Sequence, residues 1–174
     1  YEVHIKQILS GLGFDERDYH RPLGQLSGGQ RTRALLATIL LENPDVMILD
    51  EPTNHLDIQS VEWLESFLKD WEGALVVVSH DRYFLDQVAN TIWEMTPSLE
   101  IYRGNYSAYL AQREERYTRR LAEYEAQTAF IEKEQEFIRR NIAGQNTSQA
   151  KGRRRRLERL LEDDHPILFE GLHS

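Results

Sequence analysis

The order of apolar and polar residues divides the chain into two parts. Up to Gly104, short apolar runs alternate with segments of helical period, which predicts an α/β body. Val46–Leu49 and Ala74–Ser79 are continuous apolar runs, and Gln59–Trp71 between them has one apolar helical face. Continuous apolar runs are typical of parallel strands buried on both faces. This region therefore predicts a parallel βαβ unit.

Capping and turn residues predict the other elements of this α/β body. Ser27 and Gln30 have the spacing of a capping box, and the helix that they start would run to Glu42, before Asn43-Pro44. We also predict two short helices and a β-hairpin, at Val3–Leu12, Asp81–Asn90, and Thr91–Met95 with Leu99–Tyr102.

After Gly104 the pattern becomes that of long helices. The segment Tyr106–Ile142 contains neither Gly nor Pro, and Gly144 interrupts it before a second helical segment, Ser148–Asp163. Apolar residues recur every seven positions, which is typical of a coiled coil, at Leu110, Tyr117, Tyr124, Ile131 and Ile138. The sequence therefore predicts a long antiparallel helical hairpin that follows the α/β body.

Composition fits a soluble globular protein, with 40% hydrophobic and 29% charged residues among 174. No apolar run approaches the roughly 18 residues that span a bilayer. We expect no signal peptide, because the first residues lack a basic region followed by an apolar stretch. The chain has no cysteine, so disulfides and thiolate metal sites are excluded. We expect a cytoplasmic protein with no membrane partner. The first residue, Tyr1, is not a methionine, which favours a piece of a longer protein.

Charge is distributed very unevenly. The net charge is −8, yet residues 139–159 contain eight basic residues and one acid, which leaves −15 for the rest of the chain. Such a segment predicts contact with a polyanion. The alternative is a solvated helical face, or one that pairs with acids on a partner helix. The eight basic residues are Arg139, Arg140, Lys151, Arg153, Arg154, Arg155, Arg156 and Arg159.

Three short segments carry candidate chemistry. Ser27-Gly28-Gly29 starts a predicted helix, where unpaired N–H groups can bind a phosphate, although an ordinary N-cap would look the same. Asp50 and Glu51 end one strand, where carboxylates can serve a Mg²⁺ ion and an attacking water, or simply form an acidic turn. His80 ends the next strand, where it can reach a phosphate or remain a structural histidine.

These segments resemble the motifs of ATP-binding cassette (ABC) ATPases. Leu26–Gln30 resembles the signature motif, Val46–Glu51 resembles a Walker B strand, and His80 resembles the switch histidine. Two longer stretches, Asp50–Asp57 and Ser79–Asp86, resemble the ABC-F family, whose members are soluble tandem-cassette ATPases that act on the ribosome.

The resemblance also implies a domain organisation. Tyr102–Ser107 and the charged hairpin after it are similar to the exit from a first cassette into the inter-cassette linker. Residues 1–104 would be the C-terminal part of an ABC ATPase domain, of P-loop NTPase type with a C-terminal β-hairpin. Residues 105–165 would be the linker, and residues 166–174 the start of a next segment or a tail.

The resemblance implies a role for each candidate residue. Asp50 would hold Mg²⁺ through water, Glu51 would polarise the hydrolytic water, and His80 would contact the γ-phosphate of ATP. The signature residues would bind the γ-phosphate of a nucleotide held by a second cassette: Ser27, Gly28, Gly29 and Gln30. The inter-cassette loop would comprise Asn54, His55, Leu56 and Asp57. The basic hairpin would contact ribosomal RNA and transfer RNA on the ribosome.

The sequence departs from the family pattern at one point. A P-loop ends in Gly-Lys followed by Ser or Thr, and none of the lysines follows a glycine here. We therefore expect that this chain alone binds neither ATP nor Mg²⁺ tightly and does not hydrolyse ATP.

Three other functions remain open from the sequence. An ATPase subunit of an ABC transporter would share the motifs, but Asn54-His55 and the hairpin disfavour it. DNA-repair and chromosome-maintenance ATPases carry coiled-coil arms before the signature motif, whereas this hairpin follows His80. The third is a non-catalytic RNA-binding or protein-interaction module built on a degraded cassette.

Overall fold

A computed structural model describes residues 2–95, 98–144 and 146–163 of the chain. These residues form two compact units, of which the first ends at Leu110 and the second begins at Ala111. Within the described ranges, every helix is too short or too polar to cross a lipid bilayer.

Every predicted helix and strand is present, with ends that agree within two residues. The predicted helix Asp81–Asn90 is the most shortened, because the Asp81 carboxylate caps it from outside and Ala89 is already extended. In chain order the elements are α1 Glu2–Gly11, α2 Gly28–Glu42, β1 Val46–Asp50, α3 Ile58–Asp70, β2 Ala74–Val78, α4 Arg82–Val88, β3 Thr91–Met95, β4 Leu99–Arg103, α5 Tyr106–Asn141 and α6 Thr147–Asp163, with a short 3-10 turn at Leu23–Gln25 before α2.

The strands form two separate pairs. β1 and β2 are parallel, with Val46 opposite Ala74 and Asp50 opposite Val78, which confirms the predicted parallel pair joined by α3. β3 and β4 are antiparallel and form the predicted hairpin. The turn of that hairpin falls partly on residues 96–97, which lie outside the described residues.

The prediction that both parallel strands are buried on two faces is wrong for the described residues. Met47 and Leu49 are buried, whereas Ile48 is 72% exposed and Val78 on β2 is 56% exposed. Side chains alternate between the two faces of a strand, and the core of the first unit covers only one of these faces. In the part of the chain that the structure describes, the other face is apolar and exposed.

The core of the first unit lies between α1, α2, α3, α4 and the inward face of β1. This core fixes the positions of the candidate segments. Leu26, just before α2, and Leu36, within α2, are buried in it, and so is Leu49, next to Asp50. The buried members are Ile8, Leu12, Phe14, Leu26, Leu36, Ala37, Leu40, Met47, Leu49, Leu64, Leu68 and Phe84.

The start of α5 is fixed by two side chains within the first unit. The Asn105 side-chain oxygen accepts the Ala108 N–H at 3.1 Å, and the Asp86 carboxylate on α4 accepts the Ser107 N–H at 2.6 Å. These are the N–H groups that a helix start leaves without an intrahelical partner. α5 is therefore attached to α4 at its first turn.

α6 packs antiparallel to the last part of α5, which confirms the predicted helical hairpin. Asn146 contacts Asn141 at 3.4 Å, and further along α6 Arg153 reaches back to Glu134 at 2.9 Å. Ala150 and Leu157 of α6 are buried.

The heptad stripe of α5 is covered unevenly. Ile131 and Ile138 are half-buried, whereas Leu110, Tyr117 and Tyr124 are 38–44% exposed. A coiled coil along the whole of α5 therefore stays a prediction. The predicted end of the hairpin, after Asp163, lies outside the described residues.

Candidate functional site

Glu51 occupies an unusual backbone position at the end of β1. Its φ is +46°, in the left-handed region that non-glycine residues seldom adopt, at a cost on the order of 1 kcal/mol. Its N–H still donates to the carbonyl of Val78 at 2.7 Å, so the pairing with β2 continues through this residue. The chain then turns away, and the Asn54 N–H donates to the carbonyl of Glu51 at 3.1 Å.

The Glu51 carboxylate reaches across to the end of β2. It accepts the backbone N–H of His80 at 3.0 and 3.3 Å, and the Ser79 hydroxyl lies 3.5 Å from it. Nε2 of the His80 imidazole is 3.7 Å from the same carboxylate. The imidazole is fully exposed and the Glu51 side chain is 24% exposed. The predicted closeness of these two strand ends is thus confirmed by direct contact.

Asp50 suits only a partial role in binding Mg²⁺. Its carboxylate is exposed at the end of β1. Among the described residues there is no group of three or more His, Cys, Asp or Glu side chains that could hold a metal ion. Mg²⁺ often keeps several waters and takes one or two carboxylates plus phosphate oxygens. A single carboxylate such as that of Asp50 can serve a Mg²⁺ ion whose other ligands are water and phosphate oxygens.

The start of α2 has the predicted capping box. The Ser27 hydroxyl accepts the Gln30 N–H at 3.2 Å, and the Gln30 side-chain oxygen accepts the Ser27 N–H at 3.0 Å. A side chain added at Gly28 would meet nothing within 4 Å. The Gln30 N–H is therefore already bonded to Ser27, whereas the space beside Gly28 is open at the end of the helix whose dipole favours a phosphate.

The predicted inter-cassette loop lies against this helix start. A Cβ added at Gly29 would come within 3.3 Å of the Cβ of His55, which itself has a φ of +69°. In the described residues, no hydrogen bond or ion pair links residues 27–30 to Asp50, Glu51 or His80. The structure therefore brings Glu51 to His80 and His55 to Gly29, as two separate contacts.

Asp57 ends this loop and begins α3. Its carboxylate accepts the Ser60 N–H at 2.8 Å, a helix cap. Hydrogen bonds from Ser60, with the positive charge of Arg33 as a lesser cause, lower the pKa of Asp57.

Arg33 is a residue of this region that the sequence analysis missed. Its guanidinium donates to the carbonyls of Leu12 and Gly13 at 3.0 and 3.3 Å. It also lies over the Phe14 ring at 5.2 Å. It thereby ties α2 to the segment after α1. The sequence feature that could have identified Arg33 is its helical spacing from Ala37 and Leu40. That spacing puts a cation on the buried face of α2.

The basic residues of 139–159 differ in their surroundings. Arg140 pairs with Glu136, Arg154 with Glu158 at 2.7 Å, and Arg153 with Glu134. Within the described ranges, the other five are exposed and form no ion pair: Arg139, Lys151, Arg155, Arg156 and Arg159.

Comparison with known proteins finds two family models that match this chain. Both are described as ABC transporter, and they match residues 1–54 and 96–169. YdiF of Bacillus subtilis is 48% identical over 162 residues, which are 92% of this chain and 25% of YdiF.

The names of two further relatives refer to translation and to the F family of ABC transporters. The energy-dependent translational throttle protein EttA of Escherichia coli K12 is 46% identical over 144 residues, covering 82% of this chain and 26% of EttA. ABC transporter F family member 2 of Arabidopsis thaliana is 39% identical over 161 residues, covering 92% of this chain and 24% of that protein. The chain thus spans about a quarter of the length of these curated relatives.

Proposed function

Since the chain belongs to the ABC-F family, we propose that it is part of an ATPase that turns ATP binding and hydrolysis into conformational work in translation. The observation that carries this proposal is the contact between Glu51 and His80 at the carboxyl ends of two parallel strands. That edge of a parallel sheet is where α/β proteins bind ligands. The name of EttA supports the assignment to translation.

Three residues would act on the nucleotide in this proposal. Phosphoryl transfer to water needs an oriented water and neutralised phosphate charge. Glu51 would polarise the water, the exposed imidazole of His80 would donate to the γ-phosphate, and Asp50 would hold Mg²⁺ through water. When bound, Mg²⁺ neutralises phosphate charge. The hydrogen bond from the His80 N–H supports this assignment because it orients the Glu51 carboxylate toward the adjacent strand end.

The start of α2 would serve a second nucleotide, held by a second cassette of the same polypeptide. Residues Ser27–Gln30 would bind the γ-phosphate of that nucleotide, and the open space beside Gly28 at this helix start supports the assignment. Residues Asn54–Asp57 would connect the two sites. The approach of His55 to Gly29 supports this, because a shift of the loop would press on the phosphate-binding turn.

The proposed domain organisation follows the motifs. Residues 1–104 are the C-terminal part of a cassette, residues 105–165 are a linker, and residues 166–174 start the next segment or form a tail. The family match over residues 96–169 supports a distinct module in this region. The basic residues of 139–159 would contact ribosomal RNA and transfer RNA, and the protein would act on ribosomes in the cytoplasm.

ATP turnover tests the catalytic proposal. The 174-residue chain alone is expected to show none. Placed in YdiF instead of the 162 residues that it matches, it should support turnover, since the two are 48% identical there. Glu51→Gln should lower that turnover by a factor on the order of 10² or more, because it removes the group that polarises water.

Asp70→Asn, an acid-to-amide change on α3 away from the strand ends, is the matched control and should leave the rate unchanged. Turnover by the isolated chain that Glu51→Gln abolishes would contradict the proposed incompleteness. Full activity of the Glu51→Gln variant within YdiF would remove Glu51 from the mechanism.

A further inference from the structure

Three basic residues form a row along one side of α6. Lys151, Arg155 and Arg159 are spaced four residues apart, so they lie on one face, each about 6 Å further along the helix axis. All three are exposed, and no ion pair involves them in the described part of the chain. Like charges at this spacing repel each other, and the helix gains nothing from them by itself.

The same side of α6 carries a glycine that packing does not explain. Gly152 lies inside the helix, and a Cβ added there would meet nothing within 4 Å. Glycine weakens a helix interior, so an alanine would serve the isolated helix better. The missing side chain leaves room for an extended ligand to approach the backbone beside the row.

Arg153 has the opposite environment. Its guanidinium lies 4.0 Å from the centroid of the Phe137 ring, and its Nη1 lies 2.9 Å from the carboxylate of Glu134. Glu134 is only 14% exposed in its side chain. Both partners belong to α5, so the charge and the flat face of Arg153 are already used to join the two helices.

We propose that Lys151, Arg155 and Arg159 bind successive phosphates of an RNA strand, whereas Arg153 is a positioning residue that holds α6 on α5 and does not touch RNA. The inference rests on the proposed RNA contact and assigns separate roles to four of the eight basic residues of 139–159. The linear spacing of the charges favours a phosphate backbone. A membrane surface would require apolar side chains beside the row, and the nearby Ala150 and Leu157 are buried instead.

Salt-dependent RNA binding tests the row. Binding of the 174-residue chain to a single-stranded uridine oligonucleotide is measured by fluorescence anisotropy over a salt series. Each phosphate contact on a single strand contributes about 0.7 to the slope of log K against log salt concentration. The variant K151Q/R155Q/R159Q should therefore lose about 2 from the slope. The control K6Q/R17Q/R82Q removes the same charge from the first unit and should keep the slope.

Two single variants test Arg153. Arg153→Gln should leave the slope unchanged and speed amide hydrogen exchange in α6 and the last turns of α5. Glu134→Gln should speed the same exchange, although it removes no basic residue. A slope loss of about 0.7 for Arg153→Gln, as expected of a phosphate contact, would overturn its assignment. Unchanged exchange in both variants would overturn it as well.

The remaining outcomes separate this inference from the proposed function. An unchanged slope in K151Q/R155Q/R159Q, with RNA bound by the native chain, would overturn the row but not the RNA contact. No RNA binding by the native chain would overturn both, while the exchange result still decides the role of Arg153. Tighter binding of poly-glutamate than of the oligonucleotide would assign the row to an acidic protein and overturn the RNA proposal.

Discussion

At the scale of single residues, Glu51 combines a strained backbone conformation with a side-chain contact to the neighbouring strand end. A glycine would adopt its φ of +46° without strain, but it would leave the ends of β1 and β2 without the carboxylate that joins them. The Glu51 carboxylate thus provides a contact between the two strand ends that a glycine at this position would lack.

Tyr102 gives a pH-dependent prediction at this scale. Burial, together with the hydrogen bond that its hydroxyl donates to Glu100 at 2.9 Å, raises the pKa of Tyr102 to about 12. The ordinary value is about 10, so the folded state favours the protonated form. The stabilisation is present below about pH 10 and is lost as the pH rises through about 12. Near-ultraviolet absorbance should show a tyrosinate step near pH 12 that Tyr102→Phe removes; a step that survives this change would contradict the assignment.

Single residues also mark the limit of sequence reasoning. The pairing of Ser27 with Gln30 was predictable, because a capping box depends only on local spacing. Arg33 was not identified, because its partners, Leu12 and Gly13, lie 21 and 20 residues away along the chain. Local patterns predict local contacts, and the long-range ones require the fold.

At the scale of elements, α6 gives a prediction about stability. Replacing Gly152 with alanine should stabilise the helix by about 0.5–1 kcal/mol, because the site has open space and alanine loses less backbone entropy. Circular dichroism during urea unfolding of the native and G152A chains measures this. Gly144→Ala is the comparison, since Gly144 also has open space but lies outside both helices and should give no helical gain. A destabilised G152A chain would show that the glycine has a packing role.

The elements themselves were largely predictable, and their burial was not. The apolar runs at β1 and β2 correctly predicted strands and their parallel pairing. They also predicted two covered faces, yet Ile48 is 72% exposed. A continuous apolar run indicates that a strand favours burial on both faces. It does not identify the elements that cover each face.

At the scale of the whole molecule, that apolar face predicts self-association. Exposed apolar sheet surface is a site where copies of a chain can bind each other. The variant V46T/I48T should stay monomeric at concentrations where the native chain associates, and light scattering over a concentration series measures the difference. Its unfolding free energy should change by less than about 0.5 kcal/mol, because both side chains are exposed.

Met47 provides the matched comparison on the opposite face of the same strand. It is 2% exposed, so Met47→Thr should lower the unfolding free energy by about 2 kcal/mol or more. Equal destabilisation by V46T/I48T and by Met47→Thr would mean that both faces of β1 are covered in solution.

The attachment of α5 to α4 has a mechanical consequence. The first turn of α5 is tied to α4 where the Asp86 carboxylate accepts the Ser107 N–H at 2.6 Å. This bond joins a side chain of one helix to the main chain of the other, so a shift of α4 pulls directly on the backbone at the start of α5, and Asp86→Ala would cut that path of force.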